Sequence, residues 1–179
     1  MKRLKKIFPI VFLITFVLLP AGIAKATTIL EVSFAEVIQG AELIFEGRVL
    51  SEETRPSPID GRPFTYFTFE IIDVINGPYS GNYIELGFAG GTLRGLTLSV
   101  SNMRMPEIGE RGVYFVESLT QELVHPLYGW HQGHYLVVTD PANLQEKVVP
   151  LLTNLNVLAT AQTVDEFKQN VRDIMGGGR

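Results

Sequence analysis

Residues 64–77 read FTYFTFEIIDVING and contain the stretch that decides the fold. Their aromatic and β-branched side chains favour a half-buried strand over 64–75, which Asn76, Gly77 and Pro78 end in a turn. Shorter apolar runs bounded by turn residues predict further strands. These runs are 43–50, 83–88, 96–100, 112–117, 123–128 and 133–139, with 147–151 as a last edge strand. We expect 83–88 to pair with 64–75, and 51–63, with three prolines, to be a loop.

Helices are predicted only at the two ends of this strand-rich region. Ser33 with Glu36, and Thr163 with Glu166, have the spacing of capping boxes that begin helices. The first helix is short, and Gly40 follows its last turn. The second has one apolar face, formed by Val164, Phe167, Val171 and Ile174. Strands in the middle and helices at the ends indicate a mostly β protein, an antiparallel barrel or sandwich.

Residues 1–26 have the pattern of a secretory signal peptide. Four basic residues precede the apolar run 7–19, and Ala24-Lys25-Ala26 supplies a cleavage site after Ala26. The apolar run is shorter than the roughly 20 residues that a membrane span needs, so no membrane anchor is expected after cleavage. We therefore expect a periplasmic or extracellular protein, with a β-barrel domain over 27–160 and a helix with a Gly-rich tail over 161–179.

Charge and cysteine content exclude several kinds of function. The signal peptide holds five of the 15 Lys and Arg residues and none of the 19 acidic ones, so cleavage leaves a net charge of −9. Such a surface repels nucleic acid and anionic lipid. The chain has no cysteine, which excludes thiol catalysis, thiolate metal sites and disulfides.

The Gly-rich run 87–95, GFAGGTLRG, lacks the features of a nucleotide-binding loop. No Gly-Lys-Ser/Thr follows it, and the G-x-G-x-x-G spacing is absent. It is better explained as a turn or bulge that bends a barrel strand. A Gly-x-Ser-x-Gly nucleophile elbow is also missing. We therefore predict no catalytic residue and no cofactor.

Three histidines, His125, His131 and His134, fall within ten residues of one another. Three imidazoles can hold a zinc ion. However, His131 and His134 have an odd spacing that places them on opposite faces of a strand, and no acidic residue lies within the stretch to orient the rings. We predict no metal, and keep a site of these three histidines as an alternative.

Residues 128–135, YGWHQGHY, form an aromatic loop that contains the only tryptophan. Trp and Tyr are frequent anchors of protein interfaces. The alternative is that Trp130 plugs one end of a barrel core. The predicted partner-binding residues are Tyr128, Trp130, His131 and His134, together with Gly90 and Gly91 of the glycine run.

The order of the motifs resembles a known group of proteins. The segments are AELIFEGRV (41–49), FTYFTFEIIDVING (64–77), FAGG (88–91), MPEIGERGVYFV (105–116) and GWHQGHYLVV (129–138). This succession, over 33–139, is similar to small uncharacterised exported bacterial proteins. Its first half resembles the netrin-like and tissue-metalloproteinase-inhibitor module, an OB-type β-barrel. The resemblance implies an antiparallel OB-like barrel of about six to eight strands with a short N-terminal and a C-terminal helix.

The resemblance and the residues together suggest a function. Those inhibitors chelate the protease zinc through an N-terminal cysteine, which this chain lacks, so no inhibitory residue is transferred. We expect an exported, non-enzymatic binding or accessory module whose partner is another exported protein. One alternative is an inhibitor or companion of a co-exported metallopeptidase. Another is a small metal protein or enzyme built on the three histidines.

Overall fold

A computed structural model describes residues 31–152 and 157–177. The predicted signal peptide, 1–26, lies outside these residues. Two α-helices, eight strands and one short 3-10 helix are described. In chain order they are α1 (Phe34–Gly40), β1 (Leu43–Pro56), β2 (Pro63–Asn76), β3 (Tyr83–Ala89), β4 (Gly91–Leu93), β5 (Leu96–Leu98), β6 (Arg111–Val116), the 3-10 helix (Trp130–Gly133), β7 (His134–Thr139), β8 (Glu146–Pro150) and α2 (Val164–Gly176).

Six of the strands form one antiparallel sheet in the order β3-β2-β1-β6-β7-β8, and β4 pairs with β5 in a separate hairpin. The prediction of a mostly β, antiparallel protein with a helix at each end is confirmed, as is the pairing of β2 with β3. Within the described ranges the edge strands β3 and β8 do not pair with each other. The sheet is therefore not closed, and the OB-like barrel stays a prediction.

The predicted loop over 51–63 is wrong, because most of it is strand. β1 continues to Pro56 and β2 begins at Pro63, with ladder pairs such as Thr54 with Thr65. Residues 51–56 of β1 are mostly polar and show no alternation of apolar side chains. They are extended because they pair with β2. Pro56 and Pro63 lie at strand ends, where a missing N–H is tolerated.

The predicted strand over 123–128 is also wrong. Only Leu127 forms a bridge, to Val116 of β6. Two backbone hydrogen bonds flank this bridge, from the N–H of Glu117 to the carbonyl of Pro126 and from the N–H of Tyr128 to the carbonyl of Phe115. The N–H of Leu127 points away from β6 and is donated to Nδ1 of His125 at 3.2 Å. Pro126 has no N–H to donate. The segment therefore crosses the end of the sheet as a loop.

Both predicted helices begin with the expected capping boxes. The N–H of Glu36 is donated to the Ser33 hydroxyl, and the Glu36 carboxylate accepts the N–H of Ser33 at 2.7 Å. The same reciprocal pair joins Thr163 and Glu166. Gly40 is the last residue of α1, whereas the prediction placed it after the helix. The ring of Tyr128 fills the space that a side chain at residue 40 would need.

The sheet has an apolar core on each face. On one face, the buried residues of α1 and α2 form the first core with alternate residues of the sheet such as Ile44 and Phe115. On the other face, Phe45 and Tyr114 belong to the second core, which is aromatic and includes residues of β2 and β3. Consecutive residues of β1 and β6 thus contribute to different cores, as the two-residue period of a strand requires.

Ion pairs centred on one buried carboxylate attach α2 to the sheet. Glu46 of β1 is only 1% exposed. Its carboxylate accepts a hydrogen bond from Nε of Arg111 at 2.7 Å and contacts the ammonium of Lys168 on α2. Lys168 and Arg172 also lie 3.0 and 3.1 Å from the carboxylate of Asp73. Of the helices in the described ranges, none is long and apolar enough to cross a membrane.

Candidate functional site

The backbone enters the 3-10 helix through two consecutive residues in the left-handed region. Gly129 and Trp130 both have φ of +62°. Glycine adopts this conformation readily, but a bulky residue such as tryptophan does so rarely and at a cost of about 1–2 kcal/mol. The backbone N–H of Trp130 is donated to the carbonyl of Leu127 at 3.0 Å, and this bond fixes the turn. Such local strain is concentrated at functional sites.

The indole of Trp130 is half-buried and stacks on the imidazole of His125. The ring centroids are 5.5 Å apart and the planes are 14° from parallel. His125 is itself buried and meets Phe88 of the second core edge-on, at 5.0 Å. Burial, and then the neighbouring His134, lower the pKa of His125 to about 3. The tryptophan therefore rests on a neutral, flat ring that is continuous with the core.

His134 lies in a buried polar cluster with Glu110 and Tyr114. Its side chain is fully buried, and Nε2 is 2.7 Å from Oε1 of Glu110. The hydroxyl of Tyr114 donates to the same oxygen at 3.1 Å. Burial and the Glu110 carboxylate raise the pKa of Tyr114, so its hydroxyl stays protonated as a donor. Since none of the His134 ring is exposed, a partner can reach it only through the residues that cover it.

Sequence reasoning missed Glu110 and Tyr114. Glu110 lies in the turn before β6, 24 residues from His134, and nothing in its local pattern distinguishes it from a solvated turn residue. The two meet because β6 and β7 pair with Tyr114 opposite His134. Only the long-range strand register brings them together.

The three histidines make separate contacts and share no hydrogen-bond partner within the described chain. His125 accepts a backbone N–H and supports Trp130, whereas His134 bonds to Glu110. His131 is half-buried, and within the described chain its Nδ1 and that of His134 have no hydrogen-bond partner. No three His, Asp or Glu side chains in 31–152 and 157–177 are grouped as ligands of a metal ion.

The other predicted contact residues are placed differently. The ring of Tyr128 packs against the first core, beside α1, whereas His134 contacts the second core. Gly90 and Gly91 lie at the β2 end of the β1–β2 hairpin, where the Gly90 N–H bonds to the carbonyl of Pro63 at 2.9 Å. The structure thus brings Trp130, His131 and His134 around His125, and it does not bring the Tyr128 ring to the same face.

Comparison of the chain with protein-family models, curated proteins and solved structures found no match. The resemblance to netrin-like modules therefore stays a prediction from the sequence motifs. A fold alone does not define a function, so the function proposed below is inferred from the geometry around Trp130.

Proposed function

We propose that the protein is an exported, non-enzymatic binding or accessory module that contacts another exported protein through Trp130. One observation carries the proposal: a half-buried tryptophan is held in a strained, left-handed conformation on the buried ring of His125. Tryptophan is among the residues that contribute most to binding energy at protein interfaces. Backbone strain of this kind is found at functional sites, ligand clamps among them, which supports a binding role for Trp130.

The support beneath Trp130 gives it the properties of a rigid contact residue. The stack on His125 and the bonds of the 3-10 helix fix the indole before a partner arrives. A side chain that is already ordered loses less conformational entropy on binding. The excess of acidic residues over basic ones would favour a partner with a cationic surface.

An OB-like, netrin-like architecture belongs to the same proposal. It is supported by the three register shifts between β1 and β2, at residues 44–45, 46–47 and 49–51. Bulges of this kind bend and coil a sheet toward closure. The bend is also consistent with the aromatic core that β1, β2, β3 and β6 share on one face.

The proposal is tested by a crosslinked pull-down from the exported proteins of the host. Three baits are compared: the unmodified protein, the variant Trp130→Ala and the control variant Ile59→Ala. The control removes a side chain that is 73% exposed in the β1–β2 turn. We expect one stoichiometric partner that Trp130→Ala loses and Ile59→Ala retains, with circular dichroism showing that both variants fold.

Two outcomes would contradict the proposal: no partner for the unmodified protein, or full retention of the partner by Trp130→Ala. A peptidase as the captured partner would favour the alternative of an inhibitor or companion. Stoichiometric zinc in the purified protein would instead favour a metal site of the three histidines.

A further inference from the structure

The rest of the chain covers one edge strand of the sheet, β8, and leaves part of the other, β3, open. Along β8, the N–H of Val148 is donated to the carbonyl of Gln162 at 2.9 Å. Lys147 forms a bridge with Thr163 on the same side. The segment before α2 therefore covers the outward backbone groups of β8. Covering an edge in this way prevents it from pairing with other chains.

The opposite edge, β3, is covered only at its ends. The Ala89 N–H is donated to the carbonyl of Val124 at 2.9 Å, and the carbonyl of Tyr83 accepts the hydroxyl of Tyr79 at 2.6 Å. Backbone groups of an antiparallel strand face its partner at every second residue. The N–H and C=O groups of Glu85 and Gly87 therefore point outward too, and no hydrogen bond within the described chain satisfies them.

A groove of about 380 Å³ lies beside this open part of β3, between the strand and residues 118–123. Glu122 stands in its wall and accepts the hydroxyls of Tyr66, at 3.0 Å, and Ser57. Glu85 is paired with Arg55, but Glu122 has no cationic partner in 31–152 or 157–177. The groove thus combines unpaired backbone groups with one carboxylate that accepts two hydroxyls but forms no ion pair in the described chain.

We propose that β3 binds an extended peptide segment of another protein as an added strand, with a Lys or Arg of that segment paired to Glu122. Strand addition satisfies backbone donors and acceptors that alternate along an open edge, and side-chain pockets beside it provide selectivity. The positive charge follows from the unpaired carboxylate. This site goes beyond the proposed function, since it lies at β3 and does not require Trp130.

The test uses short blocked peptides of alternating valine and threonine that carry Lys, Ser or Glu at the centre. Binding is followed by the NMR amide signals of Glu85 and Gly87. We expect the Lys peptide to shift these signals and slow their hydrogen exchange, and to bind about tenfold more tightly than the Glu peptide. Methylating the peptide amides that face β3 should abolish binding.

Two pairs of variants separate the backbone from the charge. Glu85→Pro removes the outward N–H and is tolerated on an edge, whereas Glu85→Ala removes only the side chain. We expect the proline variant to lose binding and the alanine variant to keep it. Glu122→Gln should make the Lys and Ser peptides bind equally, whereas Glu53→Gln, at an exposed side chain, should leave the difference intact.

The proposal is overturned if none of the peptides perturbs Glu85 and Gly87 at millimolar concentration. It is also overturned if the Lys and Glu peptides bind equally, or if Glu85→Pro binds as well as Glu85→Ala. Trp130→Ala should not change the peptide affinity, so failure at β3 and failure of the Trp130 interface are distinguishable.

Discussion

The imidazole of His125 lies flat beneath the indole of Trp130, with 5.5 Å between the ring centroids. One ring belongs to the core and the other reaches the surface. Any change in the charge of His125 is therefore felt by the residue that we place at the interface. The pair links the stability of the domain to the geometry of its proposed contact residue.

The pKa of His125 predicts how stability depends on pH. It is lowered from 6.5 to about 3 in the folded protein, chiefly by burial. The unfolded chain therefore takes up the proton first as the pH falls. The stabilisation is complete above pH 6.5 and is lost toward pH 3, by up to about 1.4 kcal/mol for each pH unit. Urea unfolding at a series of pH values measures this slope.

The matched control for this pH dependence is His125→Asn. Its amide oxygen can still accept the N–H of Leu127, but it does not titrate below pH 6.5. We expect the variant to be less stable near neutral pH and to lose less stability on acidification. Equal slopes for the two proteins would show that folding does not change the pKa of His125.

The left-handed conformation of Trp130 is tested by comparing Trp130→Gly with Trp130→Ala. Both variants lose the stack on His125, but only glycine adopts a φ of +62° without strain. We expect the glycine variant to be more stable by about 1 kcal/mol in chemical unfolding. An alanine variant of equal or greater stability would mean that residue 130 is not left-handed in solution.

Gly40→Ala tests the contact between α1 and Tyr128. Helix propensity alone would favour alanine by about 1 kcal/mol. A Cβ at this position would, however, overlap the ring of Tyr128. We expect the free energy of unfolding to fall by about 1–3 kcal/mol. In a Tyr128→Ala background the same substitution should become neutral or stabilising, and an unchanged loss would contradict the contact.

Glu46→Ala tests the buried ion pairs beneath α2. It removes the buried carboxylate that Lys168 and Arg111 share, but Lys168 keeps its contact with Asp73 and Arg111 its contact with Glu146. Since neither cation is left unpaired, we expect a loss of about 1–3 kcal/mol in the free energy of unfolding. Glu53→Ala, at an exposed pair with Arg55, should change stability little. Similar effects of the two substitutions would contradict a buried network.

Local features of the fold could be predicted from the sequence, but long-range ones could not. The capping boxes at Ser33 and Thr163 involve residues three apart, and β2 has its own aromatic pattern. The second half of β1 reads SEETRP and is a strand only because β2 pairs with it. The strand predicted around Leu127 is wrong because only this residue forms a bridge to β6 before the chain turns at the left-handed Gly129.

The candidate site, like the fold, could be predicted only where it depends on local sequence. The composition of 128–135 drew attention to Trp130, which is half-buried and strained. Composition could not reveal the role of His125 as its support or the bond between His134 and Glu110, because both depend on tertiary packing. Nor could it show that Gly40 is small because Tyr128 lies against it.

The central place of β1 has a consequence for the order of folding. β1, β2 and β3 follow one another along the chain, and such hairpins form within microseconds. The other side of β1 must wait for β6, as the 65-residue separation of Glu46 and Arg111 shows. Closing so long a loop is slow. We therefore expect Leu43 and Phe45 to lie on a half-paired strand until β6 docks, and we expect a folding species of β1, β2 and β3 alone to be prone to aggregate.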